Sequence, residues 1–114
     1  MYNDGLFLRI SQIYKVLADP TRLKILYNLK DGPKNVSELV EILNIKQASV
    51  SKHLSILKNS GVLKAKREKN NVYYSLFDNK ITSICDMICS YIKDKLKKEE
   101  KLLGLRWTFF YLLE

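Results

Sequence analysis

The chain has 114 residues, 46% of them hydrophobic, which suits one domain with one modest core and leaves no room for two. Its net charge of +8 and pI near 9.5 point to a polyanionic partner. It opens with no basic stretch leading into an apolar run, and no apolar run approaches the roughly 18 residues of a membrane span. A lone histidine, with no glycine-rich phosphate loop and no convergent carboxylates, excludes the usual enzyme sites, so the expectation is a cytoplasmic protein that binds rather than catalyses.

Leu6, Phe7, Ile10, Ile13, Tyr14 and Leu17 recur at helical spacing and predict an amphipathic first helix over 6–18. Asp19-Pro20 supplies an N-cap and a first helical residue, so a second helix starts there. It turns Leu23, Ile25, Leu26 and Leu29 inward and ends at Asp31-Gly32-Pro33. Asn35, with Glu38 three residues on, reads as the capping box of a short third helix lined by Val36, Leu39, Val40 and Leu43. Only Asn44-Ile45-Lys46 separates it from a fourth helical segment, Gln47 to Ser60. That segment carries Val50, Leu54 and Leu57 on one stripe, and Gly61 closes it.

Residues 62–67 and 72–77 have strand composition. Lys69-Asn70-Asn71 between them supplies residues that tolerate positive φ, so 62–77 reads as a β-hairpin. Asp78 can cap a fifth helix over 78–98 whose stripe is Ile81, Ile84, Cys85, Ile88, Ile92 and Leu96. An apolar tail fills 99–114. It is too short for a bilayer and contains Arg106, so it is expected to bury its face against the first helix or a partner subunit rather than lie at a membrane surface; a sixth helix there is left open.

Two short helices on a three-residue turn make a helix-turn-helix over 35–60, an arrangement that lets its second helix enter a major groove of double-stranded DNA. With Val50, Leu54 and Leu57 inward, a rotation of about 100° per residue turns Ala48, Ser49, Ser51, Lys52 and Ser55 outward near the N-terminal end. Gln47 and the serines can hydrogen-bond base edges or phosphates. Lys52 can neutralise a phosphate or read guanine, and Ala48 can touch a thymine methyl. His53 falls on the border of the two faces, either as a half-buried packing residue bonded to a backbone or phosphate oxygen or as a base contact. Lys66, Arg67, Lys69, Asn70 and Asn71 at the hairpin tip have the charge of a wing that tracks phosphate or a minor groove. The charge is concentrated where this reading needs it: residues 46–69 hold seven Lys and Arg against one acid.

Cys85 and Cys89 share a helical face too rigid for an ordinary structural disulfide, a usage that fits a reducing compartment. They either pack as small hydrophobes at the border of the stripe, or act as a thiol sensor that captures a soft metal ion such as Cu(I) or arsenite, or meets an oxidant.

Leu17-Ala18-Asp19-Pro20-Thr21-Arg22-Leu23-Lys24-Ile25-Leu26, Val36-Ser37-Glu38-Leu39, Gln47-Ala48-Ser49-Val50-Ser51-Lys52-His53-Leu54-Ser55-Ile56-Leu57, Gly61-Val62-Leu63, Arg67-Glu68 and Val72-Tyr73-Tyr74-Ser75-Leu76 together resemble the ArsR-type metalloregulator family of bacterial repressors, over roughly residues 6–95. The resemblance implies a winged helix-turn-helix fold in the order α-α-α-α-β-β-α and a homodimer built on the first and fifth helices. It also implies a palindromic operator and release of DNA by an inducer. At the wing this chain has Asn70-Asn71 where the family commonly has glycine, and asparagine can take the left-handed conformation. The family's third-helix thiolate site would fall on Asn35 and Ser37. Its fifth-helix zinc site would fall on Asp78, Lys80, Tyr91 and Asp94, where an ammonium and a phenol replace two imidazoles. No metal is expected at either place, and no cofactor is required. The alternative is an accessory regulator that keeps the winged helix but docks another protein or a membrane surface through its apolar tail.

Overall fold

The computed structural model describes residues 2–103. Its elements are α1 (Asp4–Leu17), α2 (Pro20–Asn28), α3 (Val36–Leu43), α4 (Gln47–Asn59), β1 (Leu63–Glu68), β2 (Asn71–Leu76) and α5 (Lys80–Leu103), the order expected from the sequence. The elements from α1 to β2 form one compact unit, ending at Asn79, and α5 belongs to a second.

Local chemistry sets most boundaries in the first unit. Asn3 caps α1 by accepting from the Leu6 amide at 2.9 Å, so the helix begins ahead of its first periodic apolar residue. The Asp19 carboxylate accepts from the amides of Thr21 (2.9 Å) and Arg22 (3.1 Å), with Pro20 at a position where no amide is needed. The predicted capping box is present: the Glu38 amide donates to Asn35 at 2.9 Å and the Asn35 amide to Glu38 at 3.1 Å. Asn44, with φ of 54°, ends α3, and Gly61, with φ of 83°, follows α4.

The core forms where the periodicity placed it. Ile25, Leu26, Leu29, Leu39, Val50, Leu54 and Leu57 are buried together with Val62, Leu63 and Leu76 of the hairpin. Each such side chain contributes about 1.5–3 kcal/mol of burial. The strands pair antiparallel from Leu63↔Leu76 to Glu68↔Asn71, and Lys34, before α3, adds a bridge to Tyr74 with hydrogen bonds of 3.0 and 2.8 Å.

Two expectations are corrected. Positive φ in the hairpin turn falls on Lys69, at 56°, not on an asparagine; Asn71 is already paired in β2. Along the expected stripe of α1, Leu17 is buried, Ile10 and Ile13 are half-buried, and Leu6, Phe7 and Tyr14 are exposed, Phe7 stacking on Tyr2 with ring centroids 5.6 Å apart. The second is the extent of α5, which starts at Lys80 and runs through the Lys-Glu cluster at 97–101 to Leu103, past the expected end at residue 98. Lys and Glu are good helix formers, and nothing in that cluster stops a helix.

Along the 24 residues of α5, Thr82 and Cys85 are buried and Ile81 and Leu96 half-buried, whereas Ile84, Met87, Ile88, Tyr91 and Ile92 are exposed. The rest of the predicted tail, 104–114, lies outside the described residues. Among the described residues no helix is long and apolar enough to cross a membrane.

Candidate nucleic-acid interface

The Asn44-Ile45-Lys46 turn delivers α4 with its apolar edge fully sealed: Val50, Leu54 and Leu57 have no solvent exposure. The opposite edge is bound to face out. Gln47, Ala48, Ser51, Lys52 and Ser55 are exposed, while Ser49, expected among them, is half-buried. Lys46, the N-cap residue, offers no side-chain hydrogen bond to the helix. The first amides of α4 therefore keep their partial positive charge at the end where an anion would approach.

The hairpin follows directly. Lys66, Arg67, Lys69, Asn70 and Asn71 are all exposed, as is every one of the seven cations between Lys46 and Lys69. Lys66 lies 3.5 Å from Glu68, a solvent-exposed pair of little strength. Its base is fixed to the body of the unit, since the Val62 amide donates to Leu57 of α4 and the Phe77 amide to Val62, both at 3.0 Å.

His53, at the expected border of the two α4 faces, is half-buried. Its partner was not anticipated. Arg22 of α2 brings Nη1 to 3.4 Å from His53 Nδ1, while Nε donates to the Val16 carbonyl at 2.6 Å and Nη2 to the Lys15 carbonyl at 3.5 Å. The backbone amide of Arg22, more than any charge, holds the Asp19 carboxyl below its ordinary pKa; burial opposes this, and His53 and Arg22 add to it. Arg22 stood inside the Asp19-Pro20-Thr21-Arg22 run, but no periodicity links it to a residue 31 positions on.

The metal positions of the resembled family are occupied otherwise. Asn35 spends its side chain on the α3 capping box, and Ser37 is exposed. Asp78, Lys80, Tyr91 and Asp94 are all exposed. Among the described residues no group of three or more His, Cys, Asp and Glu is arranged to hold a metal. Both cysteines are free thiols, Cys85 buried and Cys89 exposed. Burial, helped by the neighbouring Asp86 carboxylate, pushes the Cys85 thiol up, away from the thiolate that would meet a soft ion.

Residues 19–65 match the family described as bacterial regulatory protein, arsR family. The chain is 33% identical over 78 residues to the HTH-type transcriptional regulator NmtR of Mycobacterium tuberculosis, a match spanning 68% of this chain and 65% of NmtR. It is 40% identical over 67 residues to the transcriptional repressor SdpR of Bacillus subtilis, spanning 59% of this chain and 74% of SdpR. Among solved structures, the homodimeric winged helix-turn-helix DNA-binding domain Mb0332 of Mycobacterium bovis superposes with a TM-score of 0.75 at 23% identity. It covers 85% of this chain and 93% of that one, a likeness that shows the winged helix-turn-helix fold.

Proposed function

The chain belongs to the arsR family of bacterial regulatory proteins, transcriptional regulators rather than enzymes, and from that premise we propose that it binds double-stranded DNA as a homodimer and represses transcription. The observation that carries the proposal is α4, with one edge sealed in the core and the other presenting an amide, hydroxyls and an ammonium beside a run of exposed cations. In this reading α4 lies in the major groove. Gln47, Ser51 and Ser55 hydrogen-bond base edges or phosphates, Lys52 pairs with a phosphate or a guanine, and Ala48 meets a thymine methyl. Ser49, half-buried, is the member of the set with least reach. Lys66, Arg67, Lys69, Asn70 and Asn71 follow the backbone as the wing.

Dimerisation is the proposed use of two exposed apolar surfaces, Leu6, Phe7 and Tyr14 on α1 and Ile84, Met87, Ile88, Tyr91 and Ile92 on α5. Such surfaces on one chain call for a cover, and a two-fold axis supplies it with a second copy. A two-fold dimer reads a palindromic site, with half-sites about one helical turn apart. Release of DNA by an inducer completes the proposal. The chemistry this chain offers for it is Cys85 and Cys89 with arsenite, a soft metal ion or an oxidant, although the burial of Cys85 supports packing. Loss of operator release by arsenite or peroxide in a Cys85→Ser, Cys89→Ser variant supports the sensor, and unchanged release ends it.

Fluorescence anisotropy on duplexes selected from a random pool tests the DNA reading. If three of the seven exposed cations in each protomer meet phosphate, a dimer neutralises about six, and affinity falls about a thousandfold between 50 and 200 mM salt. A flat salt response would refute DNA binding and favour a regulator that acts by contact with another protein.

A further inference from the structure

His53 is the only histidine of the chain. A guanidinium is always charged and only donates hydrogen bonds, so the ring nitrogen that faces Arg22 Nη1 at 3.4 Å is the bare one. A hydrogen bond between them requires the proton of a neutral imidazole to sit on Nε2. Among the described residues that nitrogen has no partner, and it is not among buried polar atoms lacking one, so solvent reaches it. The other side of the guanidinium is anchored on the last turn of α1, where the Val16 and Lys15 carbonyls lie beyond the reach of the helix's own α-helical bonds. Arg22 thus joins the end of α1, the first turn of α2 and the border of α4 through one rigid planar group.

We propose that Arg22 is a positioning residue for duplex binding: it locks His53 in the tautomer and orientation that present Nε2–H as a hydrogen-bond donor to a phosphate oxygen beside the groove. The inference rests on the DNA-binding reading of α4 and goes beyond it. His53 stands at the border of α4 and not on the outward edge that would meet base edges, so the backbone flanking the groove is what its free nitrogen can reach. The tautomer decides the sign of that contact. With the proton on Nε2 the ring donates to an anionic oxygen, a charge-assisted bond; with the proton on Nδ1 it would set a lone pair against the phosphate lone pairs, and the contact would repel.

Because the chain has one imidazole, a long-range nitrogen-proton correlation spectrum of the full-length protein reports this ring alone. Near neutral to mildly alkaline pH it should show the Nε2–H tautomer, and Arg22→Lys, whose ammonium cannot span the two carbonyls and the ring together, should lose that preference. Binding is then measured for the wild type, Arg22→Lys, His53→Ala and the double variant, on a duplex selected from a random pool. His53→Ala should weaken binding by about tenfold or more, the worth of a hydrogen bond to a charged group. Arg22→Lys should weaken it when His53 is present and change nothing further when it is absent. A wild-type ring protonated on Nδ1, or losses that simply add in the double variant, overturns the proposal. If Arg22→Lys does not fold, the wild-type spectrum decides alone, since the Nε2–H signal must shift when duplex is added and an unmoved signal refutes the contact. An Nε2–H tautomer in a protein that binds no duplex at any salt overturns the DNA reading, and the donor role with it, while the link between Arg22 and His53 stands.

Discussion

Replacing Lys69 with glycine should raise stability and lower DNA affinity together. Lys69 occupies the first position of the hairpin turn with φ of 56°. That conformation costs an L residue about 1–2 kcal/mol, and glycine adopts it freely. Against this gain, glycine gives the unfolded chain extra freedom worth about 0.4–1 kcal/mol. The net is a stabilisation of between zero and about 1.6 kcal/mol, which raises the thermal midpoint by at most about 6–13 °C in a unit of this size. The same substitution removes an exposed cation from each protomer. If Lys69 meets a phosphate, a dimer loses two such contacts, and the slope of log affinity on log salt becomes shallower by about 1.8. The variant's deficit then shrinks about tenfold between 50 and 200 mM salt, and it is the same on selected and scrambled duplexes. Scanning calorimetry and anisotropy titrations across a salt series read both effects. A lowered midpoint would refute the strain argument, an unchanged slope would remove Lys69 from the backbone contact, and a loss confined to one sequence would make it a base reader.

Ser51→Ala and Lys52→Ala should weaken binding to a selected duplex by about 1–3 kcal/mol where the side chain reads a base, with less effect on scrambled duplex; equal losses on every sequence would contradict the placement of α4 in a major groove. The Asp19 carboxyl is held below its ordinary pKa of 3.8, so its cap contributes stability above that pH, and the contribution is lost as the pH falls through 3.8 toward the folded value. Asp19→Asn keeps an accepting oxygen at the cap and should flatten that part of the acid-unfolding curve, whereas an identical curve would show that the cap does not titrate. With Cys89 exposed and the Cys85 thiol pushed up by burial, a maleimide should label Cys89 first and Cys85 only on unfolding; equal labelling rates would refute the burial of Cys85.

What could be read from the sequence was whatever rests on neighbours three or four residues apart. Val50, Leu54 and Leu57 declared the inner edge of α4, and Asn35 with Glu38 declared the start of α3, because both patterns are local. The hairpin was legible, but its left-handed residue was not. Composition favours asparagine for positive φ, yet the strand register pairs Glu68 with Asn71, and that leaves Lys69 in the position that must turn. Periodicity also showed that α1 has an apolar face without showing what covers it, and Leu6, Phe7 and Tyr14 stay exposed in the single chain. The link from Arg22 to His53 was beyond reach for a different reason: it joins two helices across the core, and only the packing of α2 against α4 brings the groups together.

The absence of a side-chain cap at Lys46 makes the head of α4 a built-in clock. The amide hydrogens of Gln47 and Ala48, with no carbonyl of their own helix to hold them, should trade with solvent deuterium almost as fast as those of an open peptide. An anion seated there would slow the trade. Deuterium uptake at two backbone positions can thus tell a duplex docked in register from one over which the protein merely slides.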